Sequence, residues 1–166
     1  MIEIVRGDIT RLEVDAIVNA ANAALAGGGG VDGAIHRAAG PGLRAELAQF
    51  RGCPTGSAVR TGGHRLRARF IIHAVGPIWR GGDAREAELL ASAYDASFAR
   101  AREEPSIRTI AFPAISTGVY GFPRAEAATI AIAAMRRHEA ALDRIVACLF
   151  DEEHASLYEA ALARAS

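Results

Sequence analysis

Three stretches of the chain, DAIVN (15–19), FIIHAV (70–75) and IVACLF (145–150), are almost wholly apolar and rich in β-branched residues. Runs this short and continuous suit strands buried on both faces. Such strands need cover on each side, and the intervening segments carry helical spacing. Leu90, Tyr94, Phe98 and Ala101 form one stripe within 84–104, and Leu43, Leu47 and Phe50 fall at i, i+4 and i+7. A short Ala-rich helix is expected over 32–39. Pro123 suits the first turn of a helix reaching His138, with Ile130, Ala134 and Met135 inward. Asp151 suits the N-cap of a last helix to Arg164, packed by Leu157 and Ala161. Strand signals occupy 2–5, 14–18, 58–61, 69–75, 108–112 and 144–150. Strands alternating with helices predict an α/β fold with helices on both faces of a parallel or mixed sheet. Ligands of such sheets sit at the carboxyl ends of strands.

Length and charge narrow the classes. The 166 residues suit one domain, expected over 1–166, and the formal net charge is zero. A protein built to coat nucleic acid needs a clustered positive excess. All 19 basic residues are arginine, which excludes a lysine Schiff base and a P-loop lysine. The two cysteines, Cys53 and Cys148, form no CxxC, and neither a signal pattern nor a bilayer-length apolar run is present, so a cytoplasmic location is expected.

Two loops at the expected strand ends carry the chemistry. The first, NAANAALAGGGGVDG (19–33), places four glycines between a strand and a helix. A helix N-terminus has unsatisfied N–H groups and a partial positive charge, and glycine lets a phosphate approach the backbone closely. Residues 28–33 match GxGxxG literally, but they stand too far from the preceding strand for a dinucleotide fingerprint, and the next strand ends without a carboxylate. The second loop, PAISTGVYGFP (113–123), repeats the logic with Gly118, Gly121 and the hydroxyls of Ser116 and Thr117. Two cradles on one edge suit a pyrophosphate. AISTG is not the GxSxG of a serine nucleophile. Asp8, after the first strand, and Phe150, ending the last, supply an acceptor and a ring face of the kind an adenine needs.

GDIT (7–10), VNAAN (18–22), GGGGVDGAIHRAAG (27–40), CPTG (53–56), HAVGP (73–77) and PAISTGVYGFP together resemble the macro domain family, and more closely its MacroD-type ADP-ribose hydrolases. The resemblance runs from the first strand to the last helix. It implies a three-layer α/β/α sandwich around a mixed central sheet, with a cleft for ADP-ribose. Asp8 would accept from the adenine amine with Ile9 beside the ring, and Phe150 would stack on it. Gly30 and Val31, with Ser116, Thr117, Gly118, Val119 and Tyr120, would surround the diphosphate and distal ribose. Asn22 and Asp32 match the residues that active members use near that ribose, and Asn19 would shape the loop. Ala23 departs from relatives with proline after NAAN, a difference of loop stiffness.

The reaction implied is hydrolysis of an ester on the distal ribose, in O-acetyl-ADP-ribose or in ADP-ribose attached to Asp or Glu of a protein. Asp32, at a helix start that favours negative charge, would position or activate water, and Asn22 would orient the ribose. No cofactor and no metal is expected, since the histidines show no paired ligand spacing. His73 reads as a satisfied core histidine and His36 as a supporting residue. The expected partners are ADP-ribose, its esters and mono-ADP-ribosylated proteins, with no membrane and no nucleic acid except ADP-ribosylated ends. Readings from other classes are a non-catalytic ADP-ribose reader and an ADP-ribose phosphate phosphatase. Finally, Arg65, Arg67 and Arg69 alternate with Leu66, Ala68 and Phe70 as in a half-buried strand, and with Arg60 they form either a solvated face or a polyanion contact.

Overall fold

The structure, a computed structural model, describes residues 1–165. Six strands form one sheet: β1 (Ile2–Arg6), β2 (Ala16–Ala20), β3 (Ala58–Gly62), β4 (Phe70–Ala74), β5 (Thr109–Phe112) and β6 (Arg144–Leu149). Their spatial order is β1-β6-β5-β2-β4-β3. Every neighbouring pair is parallel except β3 with β4, so the sheet is mixed. The helices are α1 (Gly30–Ala39), α2 (Pro41–Leu47), α3 (Glu86–Arg102), α4 (Arg124–His138) and α5 (Glu152–Arg164). No helix among the described residues is long and apolar enough to cross a membrane.

Alternation along the strands assigns the two faces. Ile17, Ile71, Val146 and Cys148 pack with Ile35 and Ala39 of α1 and Leu43 and Leu47 of α2. Val18, Ile72, Ile110 and Ala147 pack with α3, α4 and α5. The result is the expected three-layer α/β/α sandwich. The Leu90, Tyr94, Phe98, Ala101 stripe of α3 is buried as predicted. In α4 the buried face is Ala127, Ala128, Ala131, Ile132, Ala134 and Met135, and Ile130 sits at its rim. In α5 the fully buried anchor is Tyr158, with Leu157 beside it. Pro123 precedes α4 at its N-cap.

Two strand starts differ from the sequence pattern. β2 opens at Ala16 because the Asp15 carboxylate takes the N–H groups of Arg108 and Thr109 at 2.7 and 2.9 Å, in place of ladder bonds. Residues 64–69 form a turn followed by bends rather than a half-buried strand. Ala16, the first residue of β2, lies opposite Phe70, so nothing pairs the residues before Phe70 on that side. Gly63 N–H instead closes the connection onto the Arg69 carbonyl at 2.7 Å. The arginines then diverge. Arg60 donates to the Arg100 carbonyl on α3, Arg67 pairs with Glu13, and Arg69 pairs with Asp15. They fall into two groups: Arg60 and Arg69 lie over the Phe70 ring at 5.8 and 5.4 Å, and Arg65 and Arg67 line a groove beside Asp8.

Candidate functional site

Because β1, β6, β5 and β2 run parallel, the segments after them lie on one edge in that order. Asp8 follows β1, Phe150 follows β6, the 113–123 loop follows β5, and the glycine loop follows β2.

At the β1 end, Asp8 caps a short 3-10 turn (Ile9–Arg11). Its Oδ1 accepts from Thr10 N–H at 3.0 Å and Thr10 Oγ1 at 2.6 Å, and the bond from the hydroxyl is the main cause of a lowered carboxyl pKa. Asp8 Oδ2 lies 3.6 Å from Arg11 Nε. The Ile9 side chain is buried in the core, which leaves its backbone at the edge. Phe150 is 92% exposed and Val119 fully exposed, although both are large apolar groups. Each stands on a loop of this edge.

The 113–123 loop is fixed from several sides. Trp79 N–H donates to the Tyr120 carbonyl at 2.8 Å, and the Trp79 and Phe122 rings lie 4.8 Å apart. Thr117 Oγ1 is 2.9 Å from His154 Nε2, whose Nδ1 meets Asp151 Oδ1 at 3.0 Å. Asp151 also caps α5 through the His154 N–H, and these two bonds lower its pKa. Ser116 is held at a positive φ of 69°, with its Oγ buried and unpartnered. A buried orphan hydroxyl on strained backbone marks this loop as a candidate functional site. Gly76 makes room for it, since a Cβ there would lie 2.2 Å from Ser116 Oγ.

The glycine loop ends at the N-terminus of α1, where Gly29 is the N-cap and no side chain caps the helix. Asp32 therefore stands inside the first turn and is not the N-cap. Its Oδ1 accepts from Asn19 Nδ2 at 2.8 Å and lies 3.3 Å from His36 Nε2. Oδ2 receives no hydrogen bond from the described residues. Asn22 uses its amide on its own loop, donating to the Gly27 carbonyl at 2.9 Å and accepting from Ala26 N–H at 3.1 Å. Asn22 and Asp32 converge nonetheless. A Cβ on Gly28 would sit 3.6 Å from Asp32 Oδ2 and 4.0 Å from Asn22 Nδ2. At Gly29 and Gly30 a Cβ would meet nothing within 4 Å.

The Macro domain family model matches residues 18–131, a range that contains the uncapped helix start and both glycine loops. The chain belongs to the macro domain family. A macro domain-containing protein of Ralstonia nicotianae is 60% identical over 95% of this chain and 91% of its own length. A protein of Klebsiella pneumoniae named O-acetyl-ADP-ribose deacetylase is 54% identical over 97% of this chain and 95% of its own. The Oceanobacillus iheyensis macrodomain with ADP superposes with a TM-score of 0.91 at 43% identity, covering 99% of this chain and 90% of that one.

Within this macro domain the structure brings Asn19, Asn22, Asp32, Gly30 and Val31 to one end of the edge. Asp8 and Phe150 lie at the other, with Ser116 to Tyr120 between. Sequence reasoning passed over two residues. His73 is the satisfied core histidine expected, but one of its partners is Asn19 at 3.1 Å. His154 anchors the second loop. The signal for His73 was its register: once β2 and β4 are paired in parallel, His73 falls opposite Asn19.

Proposed function

We propose that this macro domain is a hydrolase of esters on the distal ribose of ADP-ribose, acting on O-acetyl-ADP-ribose and on mono-ADP-ribose attached to Asp or Glu side chains. One observation carries the reading. A nearly buried carboxylate, Asp32, has one oxygen tied down by Asn19 and the other unbonded, facing Gly28 beside an uncapped helix start.

The order of groups along the edge supports one pose. Adenine lies between Asp8 and Phe150, with Ile9 offering its backbone. The diphosphate crosses the 116–120 loop and the first N–H groups of α1. The distal ribose then reaches Gly30, Val31, Asn22 and Asp32. Asp32 Oδ2 holds a water against the ester carbonyl carbon, and Asn22 orients the ribose. Water adds to that carbon, and the ribose oxygen leaves with a proton. The products are ADP-ribose and acetate, or ADP-ribose and the free protein carboxyl group. Much of the rate comes from placement, since the carboxylate is already held in position.

The two buried cysteines are free, which fits a reducing cytoplasm. A pure reader gains nothing from a fixed carboxylate near a diphosphate, where like charges repel. The test is to incubate the protein with O-acetyl-ADP-ribose and with a glutamate-ADP-ribosylated target. Both esters are cleaved, and Asp32→Ala lowers kcat by about 100-fold or more while the variant stays folded, with stability reduced by about 1–3 kcal/mol for the unpaired Asn19 amide. Binding of ADP-ribose without cleavage of either ester makes it a reader, and release of phosphate from ADP-ribose phosphate alone makes it a phosphatase. Full activity in folded Asp32→Ala removes Asp32 from the mechanism.

A further inference from the structure

We propose that Thr61 and His73 are positioning residues for Asp32, acting through Asn19, so that a hydrogen-bond relay across three strands fixes the direction of the Asn19 amide. The proposal rests on the hydrolase reading above for its kinetic consequence, though not for its geometry.

The relay begins on the edge strand β3. Thr61 Oγ1 donates to the Gly62 carbonyl at 3.1 Å. With that hydrogen on Gly62, Thr61 Oγ1 accepts in its 2.9 Å contact with His73 Nε2, and the far end agrees, because the Asp32 carboxylate only accepts and so turns the Asn19 NH2 toward His73 Nδ1 as well. The His73 proton therefore sits on Nε2, and Nδ1 offers a lone pair. That lone pair lies 3.1 Å from Asn19 Nδ2, so the amide must present its NH2 group there. The second hydrogen of the same NH2 reaches Asp32 Oδ1 at 2.8 Å. Turning the amide over would put its oxygen against an imidazole lone pair and a carboxylate together.

Asn19 Oδ1 is buried without a partner among the described residues. The direction of the amide is thus set by its two acceptors together, Asp32 Oδ1 and His73 Nδ1. Asn19 and His73 are fully buried and Thr61 nearly so, which strengthens each bond and makes a wrong orientation costly. The fold supplies the alignment. His73 lies opposite Asn19 on one side and Val59 on the other, and Thr61 stands two residues beyond Val59 on the same face. Burial also depresses the His73 pKa to about 3, with the neighbouring His36 adding to the effect, so the ring stays neutral near pH 7.

Asp32 Oδ1 is then held by Asn19, with His36 at 3.3 Å as the other contact, and Oδ2 is left turned toward Gly28. Thr61 and His73 touch no substrate in this arrangement. Their loss should blur the carboxylate's direction and leave the nucleotide contacts intact.

The test compares Thr61→Val, which keeps the shape and loses the acceptor, with Thr61→Ser, which keeps the hydroxyl. With O-acetyl-ADP-ribose, Thr61→Val lowers kcat about tenfold, the rate equivalent of one net hydrogen bond, with KM little changed. Thr61→Ser restores the rate. An unchanged kcat in Thr61→Val, a loss carried by KM, or an equal loss in Thr61→Ser overturns the relay. Nitrogen NMR of His73 in the wild-type protein decides the geometry without a variant or a turnover. A proton on Nε2 alone at pH 7 supports it, and a proton on Nδ1 overturns it. If the wild-type protein cleaves no ester, the hydrolase reading falls, and the tautomer still decides the relay.

Discussion

Lowering the pH from 7 to 5 should cost this protein stability through His73. Its folded pKa is about 3, against an ordinary value of 6.5, chiefly because burial penalises the imidazolium and secondarily because His36 lies near. The sign follows from proton counting. Below pH 6.5 the unfolded chain binds a proton at His73 that the folded chain refuses. The stability is therefore full above 6.5 and is lost as the pH falls toward 3. At pH 5 the loss is about 2 kcal/mol, with a ceiling of about 5 kcal/mol near pH 3, at ~1.4 kcal/mol per pKa unit. Asp15 and Glu86, whose carboxyls are held below their ordinary values, lose their contributions mainly below this window. The assay is urea unfolding of the wild-type protein and His73→Gln at both pH values. The variant is weaker at pH 7 because it loses packing and relay bonds. Its drop from pH 7 to pH 5 is smaller than the wild type's by about 2 kcal/mol, because every other titrating group is common to both chains. Equal drops would mean that His73 takes up its proton in the folded state, and the buried neutral imidazole would be wrong.

Phe150→Ala should leave the melting temperature nearly unchanged, since the ring is 92% exposed. It should weaken ADP-ribose binding by calorimetry about tenfold or more, as loss of base stacking does, and an unchanged affinity would take Phe150 out of the adenine site. Gly33→Ala sets a Cβ 2.5 Å from the Gly28 carbonyl oxygen, a backbone atom that cannot swing away as a side chain would. It should cost about 1–3 kcal/mol in unfolding and also displace the glycine loop and weaken ADP-ribose binding; a variant with wild-type stability and affinity would refute that contact. Arg65→Glu with Arg67→Glu alters a groove of about 540 Å³ that is also lined by Asp8, Arg11 and Arg37. At physiological salt the double variant should bind free ADP-ribose about as well as the wild type, because these exposed charges are screened. A tenfold loss, about 1.4 kcal/mol, would extend the nucleotide site from Asp8 to the arginine side of the groove.

The fold was legible because burial on both faces leaves a strong pattern. AIVNA, FIIHA and RIVACL could be strands of a covered sheet and little else, and the α3 stripe named its own buried face. What misled was alternation without a partner. The 65–70 segment alternates like a strand, yet hydrogen-bond pairing decides a strand, and β2 offers nothing opposite the residues before Phe70. The same limit hid the relay. Thr61, His73 and Asn19 are far apart in sequence, and only the order β2-β4-β3 sets them side by side. Sequence spacing could mark His73 as buried but could not say what satisfied it.

The glycines separate what the fold requires from what a ligand requires. Gly33 and Gly76 are dictated by the protein, because a Cβ there would run into Gly28 or Ser116. Gly30 is dictated by its backbone, at a φ of 59°. Gly29 and Gly118 are dictated by neither. Each has an ordinary φ, and a Cβ on either would point into open space. The folded chain gains nothing from glycine at these two positions and bears the added conformational entropy. One stands on each loop flanking the proposed diphosphate position. A side chain at either would occupy the space where a phosphate must meet backbone N–H groups. Gly118→Ala is thus the cleaner probe of the cleft than Gly33→Ala: folding should be unharmed or slightly improved, and ADP-ribose binding alone should fall. If both folding and binding are unharmed, the second loop does not hold the diphosphate, and the pose must be redrawn around the start of α1.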